Sequence, residues 1–201
     1  MATNPFDVPQ KTYNNFPNDV FIDTCILSYQ TAMLPPGPMA ETNDDVLSTR
    51  FLFGGYILDE NNKPKLDANG AAIIARKWTD WMRISFAKNA KMMKVFATGK
   101  DGFQNLPDIL KDNTSANGLL WKTPFKIMLE ASGDYQKITR IKPSSNNAIC
   151  NEVFYNQEYV PYRVVKAFGK LRELELAGCK HSDGIVTYTP DMMIMPEETK
   201  A

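Results

Sequence analysis

Histidine and cysteine are nearly missing from this chain, which has one His (His181) and three Cys (Cys25, Cys150, Cys179) in 201 residues. Three cysteines cannot build the paired framework of a small secreted fold. A zinc site needs four clustered ligands, and only Cys179 and His181 are neighbours. A Ser-His or Cys-His nucleophile pair has a single histidine to draw on, near the end of the chain. The phosphate loop GxxxxGK[ST], the GxSxG elbow and HExxH are all missing. Asp44-Asp45 reads as a polar loop rather than a Mg²⁺ site, and Gly99-Lys100-Asp101-Gly102 as a helix stop. The expectation is a protein with no enzymatic activity, cofactor or metal. Net charge of one sign is missing too, with 23 basic residues against 23 acidic ones. No apolar run approaches the roughly 20 residues that span a bilayer, so no membrane association is expected. The start, MATNPFDVPQK, lacks the basic and apolar regions of a signal peptide, which points to the cytoplasm.

What remains is ordinary globular composition, 43% hydrophobic and 23% charged, enough for one large domain or a smaller one with an appendage. Residues 1–17, with Pro5, Pro9 and Pro17, read as an extended arm. Asp19 to Gln30 reads as a strand with apolar residues on both faces: Val20, Ile22 and Ile26 on one, Phe21, Cys25 and Leu27 on the other. Met33 to Asp45 is a proline-rich loop. Val46 to Leu58 is a second strand, in which Gly54-Gly55 marks a bulge or barrel corner. Polar turn residues from Asp59 to Gly70 lead into a third strand, Ala71 to Ile84.

The period then changes. Phe86, Ala90, Met93 and Ala97 share a helical face, with Ser85 to cap the start and Gly99 to close the end. A short helical piece spans Leu106 to Leu110. Trp121–Ala131 and Tyr135–Lys142 follow as strands joined by a turn at Ser132-Gly133-Asp134, and Pro143 stops the second. Strand, strand, strand, helix, strand, strand is the element order of the OB-fold. The expected class is therefore mainly β (α+β): an OB-like five-stranded barrel over 18–143 with a helix between strands three and four. Residues 144–201 form a C-terminal extension. It comprises an aromatic-rich stretch, VFYNQEYVPYR, a helix from Tyr162 to about Ala177, a short strand GIVTYT and a Met-rich tail.

The balanced charge hides an asymmetry. From Arg76 to Lys100 there are seven basic residues (Arg76, Lys77, Arg83, Lys88, Lys91, Lys94, Lys100) and one acid, Asp80, interleaved with Trp78, Trp81, Phe86 and Phe96. Lysines beside rings suit a groove for single-stranded nucleic acid, because cations track phosphates while rings stack on unpaired bases. A solvated helix face is the plainer meaning of the same lysines. Trp78 and Trp81, three apart in one strand, should point to opposite faces. Trp121, Tyr135 and Lys137 are outlying candidates in a second basic-aromatic group. A third, from Tyr155 to Arg172, reads as a helix packing on the barrel.

Three segments, RFLFGGYILDE, RKWTDWMRISFAKNAKMMKVFA and LLWKTPFKIMLEASGDYQKITRIKP, give this chain a layout that resembles small bacteriophage-encoded OB-fold proteins that bind single-stranded DNA or act in replication. The resemblance spans roughly Asn18 to Pro143 and implies a non-enzymatic single-stranded-DNA-binding protein of phage DNA replication or recombination, working in the infected host cell. Arg76, Lys77, Trp78, Trp81, Arg83 and Lys88, with Trp121, Tyr135 and Lys137 outside them, are the expected contacts. The tail, PDMMIMPEETKA, departs from the acidic tails common among such proteins, and its methionines suit an apolar contact. A second expectation is a virion structural or packaged protein that uses the barrel as an assembly module, through the arm, the Pro35-Pro36-Gly37-Pro38 loop and the tail. Both leave room for self-association and for contacts with phage replication or virion proteins.

Overall fold

The computed structural model describes residues 15–37, 43–114, 117–155, 179–180 and 184–189. The expected arm before residue 15, the helix from 162 to 177 and the tail after 189 lie outside the described residues. Along the chain come β1 (Phe21–Leu34), β2 (Val46–Tyr56), β3 (Ile74–Trp78), β4 (Met82–Arg83) and the short helices α1 (Lys91–Val95), α2 (Leu106–Lys111) and α3 (Leu119–Lys122). Then follow β5 (Phe125–Ser132), β6 (Tyr135–Pro143), α4 (Ile149–Tyr155), β7 (Cys179–Lys180) and β8 (Val186–Tyr188). The chain is mainly β, built on an open antiparallel sheet in the order β3-β2-β1-β5-β6, with β4 on β2 and β8 on β1.

β1 is the spine of this sheet. Its first half pairs with β5 (Phe21–Thr24) and its second half with β8 (Tyr29–Thr31), while β2 runs along most of its other edge. The expected two-sided burial is present. Ile22 and Ile26 face the larger core, with Phe51, Phe53, Phe96, Phe125, Ile127, Leu129, Ile138 and Ile141. Cys25 and Leu27 face a smaller cluster with Leu52, Tyr56 and residues Ile149, Cys150 and Val153 of α4. Val20 is exposed instead. Register shifts between Ile26 and Ser28, leaving Leu27 as an extra residue. This bulge inverts the alternation, so the large core continues at Tyr29 rather than at an even-numbered position.

Several expectations are corrected here. The bulge belongs to β1, whereas Gly54 pairs in regular register with Cys25 and Arg76, and Gly55 with Ala75. These glycines are there for close approach. A Cβ on Gly55 would lie 2.5 Å from the Asp23 carbonyl oxygen, and one on Gly54 would lie 2.4 Å from Leu27 Cδ1. Gly55→Ala is therefore expected to cost about 1–3 kcal/mol despite alanine's better strand entropy. A urea midpoint equal to or above that of the natural protein would show that β1 and β2 can separate freely there.

The third strand is broken in two at Thr79-Asp80-Trp81. Thr79 is buried and exchanges two hydrogen bonds with Phe51: its N–H donates to the Phe51 carbonyl (2.9 Å), and its hydroxyl accepts from the Phe51 N–H (3.0 Å). A side chain thus replaces one rung of the ladder, and Asp80-Trp81 is extruded. The expected long helix after Ser85 shrinks to five residues, with Ala90 rather than Ser85 at its cap position. Tertiary pairing ends it early. Phe96 is extended and fully buried, and the Ala97 N–H donates to Ile141 of β6 at 2.7 Å. Trp121 lies in α3 rather than opening a strand. The segment Val153–Tyr155 is helical rather than extended.

The β5–β6 hairpin matches its alternation, with Phe125, Ile127 and Leu129 all inward. It turns through Gly133 at φ 62°, as a two-residue loop requires. Thr139 is an extra residue in β6, which lets Ile138 and Ile141 share a face although three apart. Two segments assigned to the flanks join this body. Phe16 is buried in the large core, and its carbonyl accepts from Gln136 Nε2 at 2.6 Å. From the other flank, α4 packs on β1 and β2.

Candidate nucleic-acid interface

The outer face of β2, β3 and β4 is defined by what faces inward. Phe51, Phe53, Ala75 and Met82 enter the large core, so Arg50, Leu52, Arg76, Trp78 and Arg83 point the other way. Leu52 and Trp78 are cross-strand partners, and Trp78 packs against the smaller cluster under α4. Beyond that covered part, the face stays accessible at Arg76 and Arg83, which are exposed.

Trp78 and Trp81 do not point to opposite faces. The extruded turn between β3 and β4 resets the alternation, and both indoles meet Arg50, whose guanidinium carbon lies 4.7 Å from each ring centroid. Arg50 Nε donates to Gln30 Oε1 at 2.8 Å, and Gln30 Nε2 donates to Thr187 Oγ1 of β8 at 2.9 Å. A chain of polar contacts from β8 through β1 thus fixes the cation that orients the two rings. Sequence reasoning missed Arg50. Its signal was a lone arginine in the apolar run RFLFGG, with the parity of Ser48 and Leu52.

Asp80 sits beside this cluster and takes two cations. Its Oδ2 is 2.9 Å from Lys137 Nζ and 3.3 Å from Lys91 Nζ, and Lys91 also donates to the Trp81 carbonyl at 3.2 Å. Partial burial works against the charged carboxylate. The bonds to Lys137 and Lys91 outweigh it and hold Asp80 below the ordinary aspartate range, while the same contact raises Lys137. Since Lys137 belongs to β6 and Asp80 to the β3–β4 turn, this ion pair links the two edges of the open sheet. The segment after α1 is tied to β6 as well, by the parallel bridge of Phe96 to Ile141.

The expected contact residues are thus distributed unevenly. Trp78, Trp81, Arg76 and Arg83 share the outer face, and Lys137 reaches it across the seam. Tyr135, two residues before Lys137 on the same side of β6, is 61% exposed. Lys77 has the parity of Ala75 and points away from that face. Lys88 is exposed in the turn before α1, with no place in the cluster. Trp121 is 6% exposed. Its ring stacks on Tyr29 (5.8 Å between centroids), and its Nε1 donates to the Asn113 carbonyl at 3.4 Å, so it offers no stacking surface in this structure.

Two further features lie nearby. Cys25 of β1 and Cys150 of α4, remote in sequence, are both buried as free thiols and hydrogen-bonded to each other. That bond, followed by burial, raises Cys25, while the same bond lowers Cys150. On the core side, Tyr29, Phe51, Ile84, Phe86, Met92, Leu110 and Leu120 line an apolar cleft of about 210 Å³ with Lys111 at its wall. Among the described residues there is no group of three or more His, Cys, Asp or Glu placed to hold a metal ion. None of their helices is long and apolar enough to cross a membrane. The chain matches no protein-family model, no curated protein and no solved structure.

Proposed function

We propose that this chain is a non-enzymatic single-stranded-DNA-binding protein of phage replication or recombination, acting through the outer face of β2, β3 and β4. The observation that carries the reading is the gathering of two indoles around Arg50, flanked on one sheet face by exposed Arg76 and Arg83. A guanidinium fixed over the rings holds them in place before a strand arrives, which lowers the ordering cost of binding. Cations near them follow a phosphate backbone, while the rings accept any base. A partly open OB-like barrel would use this same face, that of strands two and three. Support for such a barrel comes from the strand path β3-β2-β1-β5-β6 and from the Asp80–Lys137 ion pair, which draws the β3–β4 turn to β6.

The test is fluorescence anisotropy with a labelled oligo-dT of about 30 nucleotides, longer than the roughly 4–16 covered by one OB fold. A salt series and a duplex control accompany it. Single-strand binding that weakens steeply with salt and quenches tryptophan emission is expected. Absence of binding at low salt would retire the reading.

Virion assembly is the second reading, and a different observation favours it. Met33, Leu47 and Ile84 form a row across β1, β2 and the end of β4, all exposed, and Ile84 also lines the apolar cleft. Such a row suits contact with a neighbouring subunit. Concentration-dependent self-association without affinity for DNA would decide for this reading.

A further inference from the structure

The contact between Asp80 and its two lysines has a spacing that a surface ion pair does not need. Both ammonium groups aim at the same carboxylate oxygen, Oδ2, one from α1 and the other from β6. Two like charges at most about 6 Å apart repel unless an anion lies between them. Lys91 is held by a second acceptor, the Trp81 carbonyl, so it stays in place if the carboxylate leaves. Without the carboxylate, the pair presents two donors to one anion, next to an indole whose ring is oriented by Arg50. A phosphodiester has what this site can take, one negative charge shared by two unesterified oxygens.

We propose that Lys91 and Lys137 form a backbone-phosphate subsite of the strand-binding face, and that Asp80 occupies it as an internal anion until a phosphate displaces it. This rests on the single-stranded-DNA reading above. On binding, the carboxylate swings out to water and each lysine exchanges one charge-assisted hydrogen bond for another. A base adjoining that phosphate reaches Trp81. Asp80 thus lowers affinity for the strand while keeping two lysines converged in its absence.

The experiment measures oligo-dT affinity against salt for the natural protein, Asp80→Asn, Lys91→Gln, Lys137→Gln and the combinations of Asp80→Asn with each lysine change. Asp80→Asn is expected to bind about two- to fivefold more tightly, the scale of one exposed ion pair. Each lysine change is expected to weaken binding and reduce the slope of log K against log salt by about one. The gain from Asp80→Asn should disappear when either lysine is absent. Equal gain in those backgrounds would mean bulk charge alone and overturn the subsite. Unchanged or weaker binding by Asp80→Asn would overturn it as well, leaving the ion pair as a clasp between sheet edges. In both cases the natural protein still binds DNA, so the broader reading survives. Only failure of the natural protein to bind at low salt removes both.

Discussion

Phe96→Ala is expected to destabilise the fold by about 3–5 kcal/mol, the cost of removing a fully buried ring and leaving a cavity. Phe96 is 0% exposed and lies in the segment that joins α1 to the edge of β6. Its ring meets Phe51 edge-on at 5.8 Å, Phe103 at 6.0 Å and Phe125 at 6.4 Å, so three separate parts of the core would face the void. Against a total stability of about 5–15 kcal/mol, that loss is a large fraction. The check is urea denaturation followed by circular dichroism, with Phe86→Ala beside it. Phe86 is half-buried under Lys111 at the cleft wall and should lose clearly less. Equal losses for the two would mean that the 96–97 strap is not what unites helix and sheet edge.

Trp81→Ala carries the largest expected effect on function. Base stacking on an aromatic side chain contributes about 1–3 kcal/mol, roughly fivefold to more than a hundredfold in affinity. Trp81 belongs to the extruded turn, whereas Trp78 also packs against the smaller cluster under α4. Trp81→Ala should therefore weaken binding to oligo-dT and leave the urea midpoint nearly unchanged. Trp78→Ala should lower both. Arg50→Ala should fall between them, because it frees both rings without removing either. Anisotropy and denaturation on the same three variants separate these outcomes. If Trp81→Ala binds as the natural protein does, the indoles are a packing device around Arg50 and the strand takes another route.

Much of the architecture was legible because alternation speaks directly where a strand has one buried face. In β5, Phe125, Ile127 and Leu129 could point only inward once Lys126 and Glu130 were assigned to water. The turn at Gly133-Asp134 followed from local backbone chemistry alone. The third strand was harder. A run such as AAIIARKWTDWMRI carries no mark of the place where Thr79 replaces a ladder bond, since that replacement depends on Phe51 lying opposite. The same holds for the helix after Ser85. A helix does form over Lys91 to Val95, but it buries Met92 rather than the face of Ala90 and Met93, and the hydrogen bond from Ala97 to Ile141 and the core site of Phe96 decided where it stopped.

The candidate interface was half visible. Basic residues interleaved with tryptophans stand in the sequence between Arg76 and Lys100, as does the solitary acid among them. That Arg50 would orient both rings, that Lys137 would cross from another hairpin to Asp80, and that Trp121 would turn inward are properties of register and chain reversal. By itself the sequence determined the mainly β character, the apolar residues on both sides of β1, the hairpin turn and the local concentration of positive charge, all of which depend on residues within a few positions of one another. Only the tertiary structure decided which charges meet and which rings remain outside. Single-residue bulges at Leu27 and Thr139 and the extruded turn at Asp80-Trp81 each change which side of the sheet the following residues face, and contacts distant in the chain hold them in place.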